Sequence, residues 1–406
     1  MVQHNFQHLI PALKAYFRYF FILLILMFYG HFSIAQERKA SKEAKEVKDA
    51  KQPAQKTKPN KDKKAKFADF SAEVGISTTY DDNILKYSEK YLNRFLNQQD
   101  EGRFHINTYD DLVIRPTFKI SARKRIFGKL RSDFDLRFNH TQYLMNNIKN
   151  WDYFLFSYRQ YLPNQRNFRL SYSYIPKFYI RHFRDDDWAN VIGYIPEAFK
   201  PMSFSKHNYG FWFHNTFLKN TGLRLTLDYS KYYYNINYIE YDSDDLSYGL
   251  ILFQPVSKQV RLQLKYSFTY SFVKGYDMPG ETRESSDDSD ATFYDNTFSA
   301  SISYSLPKVF NLDQNVSAEG RLGKRTFTSE KYYVLDPLHA GRIDINYYLS
   351  ISYSLSISKS VNFSLDYVNY RRNSDTMADE NRILVSEEKT YRQNQVGFSV
   401  NYNFKL

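Results

Sequence analysis

The sequence predicts an all-β protein, a transmembrane up-and-down antiparallel β-barrel of about 14 strands. Three observations predict this fold. Apolar and polar residues alternate with a period of two in one segment after another of residues 67–406. The connections between these segments are alternately short and long. Aromatic residues make up 18% of the chain, with 37 tyrosines, although the mean hydropathy is only −0.61. An apolar outer face around a wet interior accounts for that combination.

The first 36 residues differ in character from the rest of the chain. Lys14 and Arg18 precede an apolar run, and Ser33 and Ala35 follow it with the spacing of a cleavage site. This order predicts a signal peptide over residues 1–35. A membrane anchor is the weaker alternative, because the apolar run is about half the length that a spanning helix needs. The chain has no cysteine, which excludes disulfides and thiolate metal sites.

Residues 36–66 form a lysine-rich tract without an aromatic residue. The tract carries +7 and the signal +2 of the net charge of +12, so residues 67–406 carry only +3. Such a composition cannot bury enough apolar surface to fold, which predicts a disordered periplasmic linker. It is either a solvated tether or an electrostatic arm for an anionic partner. We expect no nucleic-acid partner, because the surplus charge does not lie on a folded face.

The third segment, residues 67–406, is predicted to be the barrel. Alternation is clear in "VRLQLKYSFTYSF", where leucine, tyrosine and phenylalanine on one face lie opposite arginine, lysine, glutamine, serine and threonine on the other. Most strands have about ten to fourteen residues, near the length that a tilted strand needs to cross a bilayer. The predicted strands lie near 70–80, 111–122, 129–140, 152–160, 168–178, 207–217, 222–233, 246–254, 260–273, 292–306, 315–327, 342–355, 361–371 and 391–405.

The connections predict which ends of the strands share a rim. Tight turns are expected at one rim and long loops at the other, which is typical of up-and-down membrane barrels. The sheet must close, because an open edge in lipid leaves backbone groups unpaired. The predicted long loops lie near 81–110, 141–151, 179–206, 234–245, 274–291, 328–341 and 372–390.

The C-terminal segment "QVGFSVNYNFKL" resembles the last strand of bacterial outer-membrane β-barrel proteins. A polar residue and a glycine precede alternating apolar and aromatic residues, and Lys405 and Leu406 then follow where many members end on the aromatic residue. The resemblance implies an outer-membrane location in a Gram-negative (diderm) bacterium, with the N-terminal tail in the periplasm. It also implies contacts with outer-membrane lipid and glycolipid and with the barrel-assembly machinery. The residues that carry this assembly signal are Gly397, Val400, Tyr402 and Phe404.

Basic residues on the inward parity of the strands predict a function. An excess of cations inside a barrel favours passage of anionic solutes, so we expect a porin-like channel for small solutes. Alternatively, these charges pair and fill the lumen, and the barrel is a non-conducting anchor, adhesin or export component that acts through its long loops. The lumen-lining candidates are Arg115, Lys119, Arg131, Arg137, Arg169, Arg261 and Lys265.

The first long loop contains a segment with helical spacing of its apolar residues, in which Ser88 is a suitable N-cap. A helix there either folds into the mouth of the barrel, lies on the rim, or packs as an ordinary loop helix on its neighbours.

Acidic clusters in the long loops are the candidates for binding Ca²⁺ or Mg²⁺. None has the full spacing of a calcium-binding loop, and a solvated loop is the alternative. The candidates are Asp242, Asp244, Asp245, Asp287, Asp288 and Asp290. We expect neither a cofactor nor an enzyme: His140 is the only suggestive catalytic residue, and the Ser-Asn-Gly sequence that could supply its nucleophile is absent nearby.

Overall fold

The computed structural model describes residues 68–218 and 220–405. Its sheet is one closed barrel of fourteen strands, in which each strand pairs antiparallel with the next along the chain and the first pairs with the last. The predicted up-and-down β-barrel is confirmed. The predicted signal peptide (1–35) and lysine-rich linker (36–66) lie outside the described residues.

The strand bounds follow the predicted ones closely at most positions. The strands are β1 (Asp69–Asp81), β2 (Asp111–Phe127), β3 (Leu130–Tyr143), β4 (Trp151–Leu162), β5 (Arg166–Arg184), β6 (Phe199–Phe217), β7 (Thr221–Tyr234), β8 (Ser243–Pro255), β9 (Val260–Val273), β10 (Phe293–Val309), β11 (Leu312–Phe327), β12 (Arg342–Ser356), β13 (Val361–Thr376) and β14 (Tyr391–Lys405).

Three short α-helices lie in the long loops: α1 (Glu89–Leu96), α2 (Asp186–Ile192) and α3 (Arg382–Lys389). Four 3₁₀ segments accompany them in the described residues, at Asn147–Lys149, Pro196–Ala198, Ile236–Tyr241 and Asp379–Asn381. Within residues 68–218 and 220–405, no helix is long and apolar enough to cross a membrane.

The largest difference from the predicted bounds is in β5 and β6, which extend well beyond 168–178 and 207–217. The cause is a break in the alternation. The β5–β6 register shifts between Ile175 and Phe178 and again between Tyr179 and Arg181. Extra residues at such bulges reverse which face the following side chains occupy. A pattern with a period of two therefore loses its phase there, although the strand continues.

The two faces of the barrel wall differ as predicted. Large apolar side chains such as Val74 and Ile76 of β1 are exposed on the outer face, and so is Val400 of β14. Ser77 of β1 and its partner Ser399 occupy the alternate face, which lines the interior. An apolar outer belt around a polar interior, with every strand paired, is the arrangement that lipid requires of a spanning sheet. The chain forms a transmembrane barrel.

Strands β1 and β14 close the barrel over eleven residue pairs, from Ser71 with Lys405 to Asp81 with Gln395. Both ends of the barrel chain lie at the rim of the tight turns, because the strand number is even. The seven long loops therefore share the opposite rim, which we call the mouth.

Candidate pore lining and mouth

All seven basic residues predicted to line the lumen lie on the inward parity of their strands. The register places Lys119 opposite Arg137, and Lys265 opposite Ser299. Three of the seven have polar partners. Lys119 Nζ lies 3.6 Å from a carboxylate oxygen of Asp135, and Arg131 Nε donates to Asp133 at 2.6 Å. Arg115 Nε donates to the Thr141 hydroxyl at 3.1 Å.

Four inward arginines of β3, β4, β5 and β7 form a group that we call the arginine cluster. Its members are Arg137, Arg159, Arg169 and Arg224. The Nε atom of each is buried and has no hydrogen-bond partner within the described chain. No carboxylate of the described residues lies within 4.0 Å of any of these guanidinium groups. The cluster therefore presents a cationic wall whose charge is not cancelled by direct ion pairs.

Trp212 of β6 holds part of the arginine cluster in place. Its ring centroid lies 5.1 Å from Cζ of Arg159 and 4.4 Å from Cζ of Arg224. Trp212 is also the register partner of Arg169. Stacking on the face of an indole stabilises a guanidinium group without neutralising it. The cations thus stay close together although they repel one another.

Asp135 of β3 also faces the lumen on this wall. Its oxygens accept hydrogen bonds from the Ser121 hydroxyl at 2.6 Å and the Ser157 hydroxyl at 3.3 Å, in addition to the ion pair with Lys119. The direct partners of Asp135 therefore lie outside the arginine cluster, although its negative charge also acts on Arg169.

Sequence reasoning missed Arg159 and Arg224. Both lie in phase with inward residues of their own strands: Arg159 is two residues from Ser157, and Arg224 is four residues from Asp228. The alternation within each strand was enough to predict that both arginines face the lumen. The pattern of a single strand does not show that cations of four strands meet. That depends on the register between the strands.

The opposite wall, on β10–β13, carries cations with partners. Arg325 Nε lies 3.2 Å from Asp295, and Arg342 Nη2 lies 2.8 Å from Asp344. Arg372 also approaches Asp344, at 3.6 Å. The two walls of the lumen therefore differ in net charge. A cavity of about 420 Å³ lies against β6–β11, and its lining includes Lys206, Asp228, Asp245, Lys265, Asp295 and Arg325.

The first loop packs against inner side chains of the mouth, and its helix also contacts helix α3 of the last long loop. Helix α1 begins after Ser88 as predicted, although the Ser88 side chain forms no cap hydrogen bond. The loop packs a buried apolar cluster against inner side chains of β2, β3 and β5. Its core consists of Ile84, Leu85, Tyr87, Tyr91, Ile106, Val113, Tyr143 and Tyr179.

Polar contacts fix this loop on both sides. On β5, Arg181 Nη2 donates to the Leu85 carbonyl at 2.6 Å. Towards β13, Lys86 Nζ lies 5.0 Å from the ring centroid of Tyr370. Helix α1 is joined to α3 by an ion pair of 2.8 Å between Lys90 and Glu388, and the Tyr91 hydroxyl also donates to Glu388. The first loop therefore extends along the inner side of the mouth from β5 to α3.

A buried lysine supports the same region from the β3–β4 loop. Lys149 Nζ donates to the Tyr179 carbonyl at 2.9 Å and lies 4.9 Å from the ring centroid of Phe178. Burial, reinforced by the positive charges of Arg181 and Lys86, lowers the pKa of Lys149 to about 7. Its ammonium group is thus easily neutralised in the folded mouth.

The six acidic residues predicted as metal candidates do not form one group. Asp242 accepts from the Tyr234 amide at 2.6 Å, and Asp244 accepts from the Tyr229 hydroxyl at 2.6 Å. Asp245 lines the lumen cavity, whereas Asp290 is fully buried and accepts from the Thr292 amide. Asp287 is exposed on its loop. Among the six, only Asp288 lies in a group with other carboxylates of the described residues. Cation binding by the six residues stays a prediction.

The residues of the C-terminal assembly signal divide between the two faces of β14. Val400, Tyr402 and Phe404 share the outer face, opposite Ile76, Val74 and Ala72 of β1. Gly397 lies on the inner face beside Thr79, where an added Cβ would come within 2.7 Å of the threonine hydroxyl. Their recognition by an assembly machinery stays a prediction.

No protein-family model and no curated protein sequence matches the chain. Solved structures with similar folds include a bacterial polysaccharide outer membrane secretin, with 8% identity and a TM-score of 0.43 over 82% of this chain and 98% of the other. Another is the outer membrane channel DcaP of Acinetobacter baumannii, with 10% identity and a TM-score of 0.41 over 83% and 97%. A third is the anion-selective porin from Comamonas acidovorans, with 9% identity and a TM-score of 0.40 over 83% and 99%. At these scores the likenesses support neither a family nor a solute.

Proposed function

We propose that the barrel is an outer-membrane channel for small solutes, and that it favours anions. The observation that carries the proposal is the arginine cluster, four inward guanidinium groups without a carboxylate partner in the described chain. Low-dielectric walls focus the field of such charges into the lumen. An anion that enters gains favourable interactions with the cluster, whereas a cation of the same size is repelled.

The lumen offers the anion more than charge. The Trp212 ring holds Arg159 and Arg224 in place, so little side-chain freedom is lost when a solute arrives. Guanidinium groups also match carboxylate and phosphate geometry with paired hydrogen bonds. Small carboxylates and phosphates are therefore the solutes that this wall fits best.

The test is conductance of the purified full chain in planar lipid bilayers. Stepwise currents are expected, with a reversal potential in a KCl gradient that reports preference for chloride. A silent barrel that is correctly folded, or a channel that prefers potassium, contradicts the proposal.

A second function is favoured by the first loop. Its buried apolar cluster and its contacts with Arg181 and Glu388 occupy part of the mouth. If that loop closes the lumen, the barrel acts through its long loops as an anchor, adhesin or export component. Silence of the complete chain, together with currents after removal of residues 89–96, is the result that distinguishes this function from the first.

We also propose that residues 1–35 direct export and that residues 36–66 are a tether in the periplasm. Strand β1 begins at the rim of tight turns, and the short turns of outer-membrane barrels face the periplasm. Deletion of 37–66 tests the tether. Unchanged insertion and conductance support it, and loss of either supports the electrostatic arm instead.

A further inference from the structure

Three neighbouring tight turns of the barrel share a composition. They join β8 to β9, β10 to β11 and β12 to β13, and each presents a large exposed apolar side chain close to an exposed lysine. The apolar residues, all more than half exposed, are Val256, Phe310 and Ile357. The lysines are Lys258, Lys308 and Lys359. We call these six residues the lysine patch.

Hydrogen bonds order two of these turns in the same way. In each, a serine hydroxyl oxygen accepts from the backbone amides two and three residues further along the chain. The distances are 3.1 and 3.0 Å for Ser257, and 3.2 and 3.1 Å for Ser358. The lysine directly follows the serine in both turns. Lys258 and Lys359 therefore occupy equivalent positions at the tips of ordered turns.

The outer face of the strands shows the depth at which these turns lie. Strand β9 begins at Val260, whose register partner is Tyr304 of β10. Strand β13 begins at Val361, whose register partner is Tyr402 of β14. Both tyrosines are exposed on the outer face. Outward tyrosines mark the boundary between hydrocarbon and headgroups. The adjoining turns therefore lie at the level of the headgroups.

The lysine patch has an excess of positive charge. No carboxylate of the described residues lies within 4.0 Å of the ammonium group of Lys258 or of Lys359. Asp313, 2.9 Å from Lys308, is the only acidic residue in the sequence of the three turns. The tips of successive hairpins lie about 10 Å apart, because neighbouring strands are about 5 Å apart. The three lysines thus face one region of the membrane surface.

We propose that the lysine patch binds the headgroups of anionic phospholipids in the periplasmic leaflet of the outer membrane. The apolar side chains lie in the interface while the lysine ammonium groups reach the phosphates. The leaflet follows from the topology, because the short turns of such barrels face the periplasm. The charge would also suit an acidic periplasmic protein, but the position of the turns beside the outward tyrosines favours lipid. This inference does not depend on whether the barrel conducts.

The experiment uses the full chain refolded in phosphatidylcholine vesicles, with Val256→Trp as a local fluorescent reporter. Part of the lipid is replaced by brominated phosphatidylglycerol or by brominated phosphatidylcholine, since bromine quenches tryptophan on contact. The emission of the chain without the added tryptophan is subtracted. We expect phosphatidylglycerol to associate with this site roughly fivefold more strongly than phosphatidylcholine, and about 1 M KCl should reduce the preference.

A matched pair of variants tests the role of the lysine. In the reporter chain, Lys258→Gln should remove most of the preference for phosphatidylglycerol. Lys129→Gln, which removes the same charge from the distant β2–β3 turn, should leave the preference unchanged. A second reporter, Leu264→Trp on the outer face of β9, should be quenched equally by the two lipids. Heat-dependent migration in gels reports whether each variant forms the barrel.

Three results would overturn the proposal. The first is equal quenching of Val256→Trp by the two lipids. The second is an equal loss of preference in Lys258→Gln and Lys129→Gln, or the same preference at Leu264→Trp. The third is quenching of Leu264→Trp but not of Val256→Trp by either lipid, which would assign the turns to water or to a periplasmic protein.

Discussion

Arg159 of β4 lies directly opposite Arg169 of β5 in the register of the barrel, and neither guanidinium group has a carboxylate within 4.0 Å in the described chain. Two like charges on neighbouring strands destabilise a sheet unless solvent or a ligand compensates them. A protein tolerates the free-energy cost of this repulsion inside a water-filled lumen when it uses the charges for a function.

Replacing both residues should therefore reduce anion preference. In the double variant Arg159→Ala/Arg169→Ala, we expect the ratio of chloride to potassium permeability to fall by about fivefold, because two focused charges are lost. Reversal potentials in planar bilayers measure this ratio. Lys359→Ala is the control, since it removes a charge from an exposed tight turn. An equal effect of the control would show that net charge, and not the arginine cluster, sets the preference.

The second prediction concerns the contact between α1 and α3. Glu388→Gln removes the ion pair with Lys90 and weakens the bond from Tyr91, so the first loop should open more often. We expect higher conductance or a larger open fraction in single-channel records. Glu387→Gln removes a more exposed partner of Lys90, 3.4 Å away, and should change little. Identical records from the two variants would mean that this contact does not gate the mouth.

The third prediction uses two glycines of the mouth with positive φ. At Gly102, with φ of 88°, an added Cβ would lie 2.3 Å from the Pro196 carbonyl oxygen. At Gly193, with φ of 92°, nothing lies within 4 Å. Alanine is strained at both positions, by on the order of 1–3 kcal/mol, but only Gly102→Ala must also separate the first loop from the β5–β6 loop. Limited proteolysis should cut the first loop faster in Gly102→Ala than in Gly193→Ala, and similar rates would contradict this packing.

The fourth prediction concerns pH. The folded pKa of Lys149, about 7, lies below its ordinary value of 10.5, so above pH 7 the unfolded chain binds more protons at this residue than the folded one. Stability should therefore rise as the pH increases from about 7 towards about 10, and this contribution is lost below the folded pKa. Thermal unfolding of the wild type and of Lys149→Met across this range measures it. If the stability of Lys149→Met rises with pH as steeply as that of the wild type, Lys149 is not the source of the pH dependence.

The fifth prediction concerns assembly. Phe404→Asp puts a charge on the outer face of β14, where it meets lipid and interrupts the proposed assembly signal. We expect little protein in the outer-membrane fraction after washing with urea. Asn403→Asp introduces the same group on the inner face of the same strand and should insert normally. If both variants insert normally, Phe404 is not part of the assembly signal.

The sequence predicts a structural property when a pattern that repeats along neighbouring residues encodes that property. The alternation in 260–273 and 391–405 predicted the bounds of β9 and β14 to the residue. In such a segment, the face that each side chain occupies follows from the face of its neighbour. The same reasoning failed in β5 beyond Ile175, where bulges reset the phase. The inward position of Lys119 and Arg169 was predictable from one strand. The meeting of Arg159 with Arg169 was not, because it depends on the stagger between strands.

By itself, the sequence determined the class of this protein: a closed barrel with an apolar outer face, tight turns at one rim and long loops at the other. These properties follow from a period of two and from the demand of lipid for paired backbone. Only the tertiary structure decided which charges remain without partners, how the first loop enters the mouth, and which loop carboxylates come together. Such contacts join residues far apart in the chain, so no local pattern encodes them.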